Sequence, residues 1–204
     1  MTVPNDQMGS NMSPNVQAPR RRLSSRQANR LERLTEAAVS ELREHGYEGL
    51  TVRAVAARCG VAPATAYTYF ASKNHLVAEV FWRRLCALPE LSSDSDSAED
   101  ATVNVLTSTV AIVEDDPAVS AACTVAILAQ EPEVQALRDM IGAELMRRLE
   151  AALGDASTPE LLATLITHWS GAFLVAGMGY SPFAQARIEL DRSVRALMRS
   201  SGSD

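Results

Sequence analysis

The 204-residue sequence predicts an all-α fold, an N-terminal three-helix domain with a helix-turn-helix followed by a larger helical bundle. Three observations predict it. Apolar residues recur at three- and four-residue spacing, the pattern of one buried helix face. Sustained period-two alternation is missing, and no Asn-Gly or Asp-Gly pair lies between apolar runs where a hairpin would turn. Prolines stand where a helix tolerates them, just inside a first turn, in Asp116-Pro117, Glu131-Pro132, Thr158-Pro159 and Ser181-Pro182.

The elements follow in order. Residues 1–23 hold Pro4, Pro14 and Pro19 among polar residues, with no apolar stretch of a secretory leader, and are expected to be a flexible tail. Leu31, Leu34, Ala38 and Leu42 make one face of a first helix over 24–45, opened by a Ser24/Gln27 capping box and stopped at Gly46. Thr51 caps a second helix over 52–58, with Val52, Val55 and Ala56 inward, and Gly60 permits the turn that follows. Pro63 starts a third helix reaching about Phe70.

Ser72 opens a fourth helix whose Leu76, Val77, Val80, Phe81, Leu85 and Leu88 form a broad apolar stripe until Pro89. "PELSSDSDSAED" then has loop composition, and a helix over 98–114 precedes the four proline-marked starts, of which Glu131 has the weakest cap. The expected domains are a tail over 1–23, the helix-turn-helix domain over 24–71 and the bundle over 72–204.

Composition narrows the function. No apolar run approaches the roughly 18 residues of a membrane span, so a soluble chain with no membrane partner is expected. Cys59, Cys86 and Cys123 are an odd set without paired spacing, which suits a reducing compartment, here the cytoplasm. The net charge of -6 hides an asymmetry: residues 1–89 carry 12 basic and 7 acidic side chains, residues 90–204 carry 7 and 18. Phosphates attract the first part and repel the second. His45, His75 and His168 have no metal-ligand spacing, and no nucleophile elbow or phosphate loop occurs, so neither an enzyme nor a cofactor nor a bound metal is expected.

The segment "TVRAVAARCGVAPATAYTYFASKNHL", residues 51–76, carries the chemistry. Two short helices joined by a Gly-containing turn fit a helix-turn-helix, whose second helix enters the DNA major groove. Ala66 and Phe70 face the core with Val61, which leaves Pro63, Ala64, Thr65, Tyr67, Thr68 and Tyr69 around the other side. The small residues allow close approach to bases, and the hydroxyls can meet phosphates or base edges. Lys73, the only lysine, follows at a helix N-terminus, where an anion is already favoured.

This run resembles the DNA-binding segment of the tetracycline-repressor-like (TetR) family of bacterial transcriptional regulators. The resemblance rests on Thr51, Val55-Ala56, Gly60-Val61, Thr65-Ala66-Tyr67, Phe70, Ser72-Lys73 and Leu76, and covers roughly residues 26–82. Ala62 stands where the family often has Ser, and Ala64 where it often has Gly. The resemblance implies that Thr51, Tyr67 and Lys73 hold phosphates while Arg53, Thr65 and Thr68 read bases. For Arg53 a surface pair with Glu48 stays open as the alternative. Arg20, Arg21 and Arg22, with Arg26 and Arg30 behind them, form either a DNA-contacting arm or a solubilising tail.

The resemblance also implies a homodimer through the last two helices, here 159–178 and 182–200, and a small-molecule effector that releases a repressor from a palindromic operator. Gly171, Ala172, Ala176 and Gly177, with Val194, Leu197 and Met198, are the candidates for pairing, and packing within one chain is the alternative. Met140, His168, Trp169, Phe173 and Met178 are the candidate ligand lining, with core packing as the alternative for each. A ligand-independent DNA-binding or partner-docking protein using the same helix-turn-helix stays open.

Overall fold

The computed structural model describes residues 24–90 and 97–201; the expected tail, the arginines at 20–22 and most of the serine-rich connection lie outside the described residues. Among the described residues the elements are α-helices and one 3-10 turn, with no strand. They are α1 (Ser25–Gly49), α2 (Val52–Arg58), α3 (Pro63–Tyr67), α4 (Lys73–Ala87), α5 (Ala98–Glu114), α6 (Pro117–Ile127), α7 (Pro132–Leu153), α8 (Pro159–Gly177) and α9 (Phe183–Ser201).

Helix starts are set by side chains that satisfy the free N–H groups of a first turn. The Ser24/Gln27 capping box is present, and Thr51, Ser72, Ser97, Asp116 and Thr158 each accept from the backbone N–H three residues on. Ala62 and Glu131 provide no side-chain cap, and Pro63 and Pro132 follow them directly. Gly46 leaves the helical region (φ 68°, ψ -179°), but one further turn carries α1 on to Gly49. Helix α3 ends at Tyr67 rather than near Phe70, because Thr68 turns its hydroxyl onto the Thr65 carbonyl (2.6 Å) and the chain drops Phe70 into the core.

One hydrophobic core runs from Leu31 and Leu34 in α1 to Leu190 and Val194 in α9. Helix α4 lies at its centre, packed on α1, α5, α6 and α7. The carbonyls just past its end are closed by Arg148 of α7: the buried guanidinium donates to the O of the C-cap residue Leu88 (3.2 Å) and to Pro89 O (2.9 Å). Glu144 accepts from Arg148 Nε at 2.7 Å, and its hydrogen bond with Arg147 holds its carboxyl below the usual range. Helices α8 and α6 meet so closely that a Cβ on Gly177 would overlap the Thr124 side chain.

Candidate nucleic-acid interface

The α2–α3 pair is fastened to α1 from below. Val55, Ala56, Ala66 and Phe70 are buried, and Gly60 takes a left-handed φ of 66° in the turn. Arg33 of α1 donates to Cys59 O at 3.0 Å, while Cys59 Sγ donates to Arg33 O at 3.3 Å, so the turn is held in both directions. Burial pushes the Cys59 thiol up. Arg58 bridges Glu41 (2.6 Å) and Glu44 of α1, and its hydrogen bond holds the Glu44 carboxyl below its ordinary value.

The outward face of this pair is small and hydroxylated. Pro63, Ala64, Tyr67 and Thr68 are exposed, and Thr65 and Tyr69 are half-buried. The Tyr67 phenol, on a side chain 52% exposed, has no hydrogen-bond partner among the described residues. Thr51 Oγ1 accepts from Ala54 N at 3.0 Å, which leaves its hydroxyl proton free to donate outward. Thr68 has given its proton to Thr65 O and can only accept, which suits a base amino group better than a phosphate. Arg53 is exposed and has no ion-pair partner among the described residues; Glu48 lies 3.9 Å from Lys73 instead.

Lys73 folds back on α1. Its Nζ donates to Tyr47 O at 3.1 Å and sits 4.1 Å from the centroid of the Tyr47 ring. The Tyr47 phenol, its pKa raised mainly by burial, donates to Asn74 Oδ1, and Asn74 Nδ2 donates to Glu131 at 2.7 Å.

The profile of bacterial regulatory proteins of the tetR family matches residues 34–80, which run from α1 through the helix-turn-helix into α4. An uncharacterized HTH-type transcriptional regulator of Mycobacterium tuberculosis, Rv0767c, is 42% identical over 156 residues, 76% of this chain and 73% of its own length. This chain belongs to the tetR family. The HTH-type transcriptional repressor KstR of Rhodococcus jostii is 27% identical over 139 residues, 67% of this chain and 66% of its own length. Among solved structures, a TetR transcriptional regulator from Rhodococcus sp. RHA1 superposes with a TM-score of 0.69 at 25% identity, covering 86% of this chain and 98% of that one. FadR of Bacillus subtilis, solved in complex with stearoyl-CoA, shares the fold (TM-score 0.61, 14% identity, 80% of this chain and 96% of that one).

Arg26 and Arg30, which the sequence placed behind the arginine run, line a single groove on α1 with Ser25, Asn29 and Arg33, about 330 Å³ in volume, and of these arginines only Arg33 was not singled out in the sequence. The signal was there in the four- and three-residue spacing of these arginines. Glu41, Glu44 and His45 have ligand atoms within 4.8 Å of one another, but the Arg58 guanidinium already bonds to both carboxylates.

The five candidate ligand residues do not converge. Trp169 and Phe173 meet at 5.6 Å between ring centroids, inside a buried aromatic cluster with Phe81 and Phe183. Met140 packs in a separate cluster with Val134, Leu137 and Ala78. His168 is exposed, its Nε2 2.5 Å from Ser193 Oγ, and Met178 is 62% exposed. Core packing therefore does not hold for His168, one residue and about 100° off the Trp169 face, nor for Met178, which stands past the end of α8.

The candidate pairing residues divide. Ala176, Gly177 and Val194 pack within the chain, whereas Gly171 and Ala172 line a groove of about 720 Å³ between α8 and α9.

Proposed function

We propose that this protein is a sequence-specific DNA-binding repressor that works as a homodimer on a palindromic operator in the cytoplasm and is released by a small apolar or amphipathic effector. The observation that carries it is the outward face of the helix-turn-helix, unpaired among the described residues: Arg53, the Tyr67 phenol and small residues at the start of α3, on a base held rigid by α1. Rigid support matters because base readout needs side chains fixed to within a fraction of an ångström. In this reading Thr51, Tyr67 and Lys73 take phosphates while Arg53, Thr65 and Thr68 read bases, with Pro63, Ala64 and Tyr69 shaping the approach.

A second copy of the chain docks in the groove between α8 and α9. Ala163, Thr167, Gly171 and Val175 stand four apart along α8 and line it, a row of small side chains over which another helix can cross closely. Two reading heads then face half-sites related by the same two-fold axis. Trp169 supports the effector: its Nε1 is buried without a hydrogen-bond partner, beside Phe173, and would donate to a polar group on an otherwise apolar molecule.

The reading is tested by selecting genomic DNA fragments on the purified protein at about 150 mM salt. It expects a near-palindromic site; recovery of salt-sensitive fragments with no common sequence would overturn it.

A further inference from the structure

Beyond the shared core, two carboxylates at the starts of consecutive helices tie the reading head to the bundle. Asp116 caps α6 through Oδ1, which accepts from Val119 N at 3.4 Å. Its Oδ2 accepts from Arg43 of α1, Nε at 2.8 Å and Nη2 at 2.7 Å. Asp116 is buried, and Arg84 of α4 places Nη2 3.8 Å from the same oxygen. Glu131, at the start of α7, caps nothing in its own helix; its carboxylate accepts from Ser72 and Asn74 at the start of α4, and Asn74 Oδ1 in turn accepts from the Tyr47 phenol of α1, which carries the tie into the head.

One end of α6 is thus fastened to the C-terminal half of α1, and the connection leaving its other end is fastened to the segment that follows the helix-turn-helix. A head held at one point can pivot in any direction, whereas two separated fastenings leave only the axis that joins them, and the packing of α1 on α4 and α6 opposes rotation about that axis. Charge-assisted bonds to a buried carboxylate are the stiffer kind of fastening.

Rotation of the head has a readable consequence. Adding one base pair between half-sites moves one of them by about 3.4 Å and turns it by about 34° around the duplex. A stiff joint rejects that change; a loose one follows it. Base preference within a half-site belongs to α3 and Arg53 and does not depend on the joint.

We propose that Asp116 and Glu131 are positioning residues that set half-site spacing selectivity by fixing each reading head on its bundle at two points. The proposal rests on the reading of a dimer on an inverted repeat.

The test compares the full-length wild type with Asp116→Asn, Arg43→Ala and Glu131→Ala. Asn keeps a capping oxygen for α6 and removes only the charge that Arg43 grips. Arg43→Ala changes a side chain that is 61% exposed and leaves α6 intact. Affinity is measured for the site selected from random DNA, for the same site with one base pair added at its centre, and for the same site with one base changed inside a half-site.

Wild type is expected to prefer the original spacing by about tenfold or more, the scale of one mismatched position. The variants are expected to shrink that ratio by about threefold or more and to leave the base-change ratio as it was. An unchanged spacing ratio in all three variants overturns the proposal, and so does an equal fall in both ratios, which would mean a general loss of discrimination between sites. A wild type indifferent to spacing overturns the dimer reading itself, and this proposal with it.

Discussion

Lys73 Nζ lies 3.1 Å from the carbonyl oxygen of Tyr47 and over its ring, so the chain's single lysine closes the end of α1 from the first residue of α4. A hydrogen bond and a cation–π contact, each worth about 1 kcal/mol at a partly exposed site, make it a structural tie as well as a candidate phosphate contact. Lys73→Ala is expected to lower stability in urea by about 1–2 kcal/mol. Its DNA affinity, measured where the variant is fully folded, is expected to fall as well. Unchanged affinity would leave Lys73 only the structural role.

Arg53 and Tyr67 separate base reading from phosphate holding. Arg53→Ala is expected to relax preference at one base pair by about 1–3 kcal/mol, while Tyr67→Phe weakens all sites alike. Both side chains are exposed and unpaired among the described residues, so stability should stay within about 0.5 kcal/mol of wild type. A binding matrix over all single-base changes in the site distinguishes these outcomes from their reversal.

The α1 arginines extend the basic surface away from α3. Each phosphate contact adds about 0.9 to the slope of log affinity against log salt. Replacing Arg26 and Arg30 together is expected to lower that slope by up to about 2, and deleting residues 1–23 to lower it further. An unchanged slope in a salt titration would remove the stripe and the tail from the interface.

Gly171 probes the dimer without disturbing the protomer. A Cβ there meets nothing within 4 Å among the described residues, so Gly171→Arg should fold normally while its longer side chain fills the α8–α9 groove. Sedimentation is expected to show a monomer and operator binding to fall steeply, since one head makes only half of the contacts. A dimeric Gly171→Arg variant would place the pairing surface elsewhere.

Local chemistry made the fold legible in the sequence. Ser24 with Gln27, Thr51, Ser72, Asp116 and Thr158 announce helix starts through short-range hydrogen bonds, and the structure has those bonds. The turn beyond Gly46 and the early end of α3 were not legible, because each depends on where Leu50 and Phe70 find space in the core. At the site, the exposed face of α3 followed from helix period, since Ala66 and Phe70 are apolar and four apart. The Arg43/Asp116 and Glu131/Asn74 contacts could not be read, being 73 and 57 residues apart and formed only by packing. The candidate ligand set scattered for a related reason: helical spacing assigns a face to a residue, but not the neighbour that covers it.

If two copies of this helix-turn-helix read one symmetric site, hydroxyl-radical footprinting of the selected site with the purified protein will reveal both of them at once. Two protected patches are expected on each strand, related by a two-fold axis and about one helical turn or a multiple of it apart, both lost together in Gly171→Arg. A single protected patch, or protection unrelated to the base sequence, would contradict it.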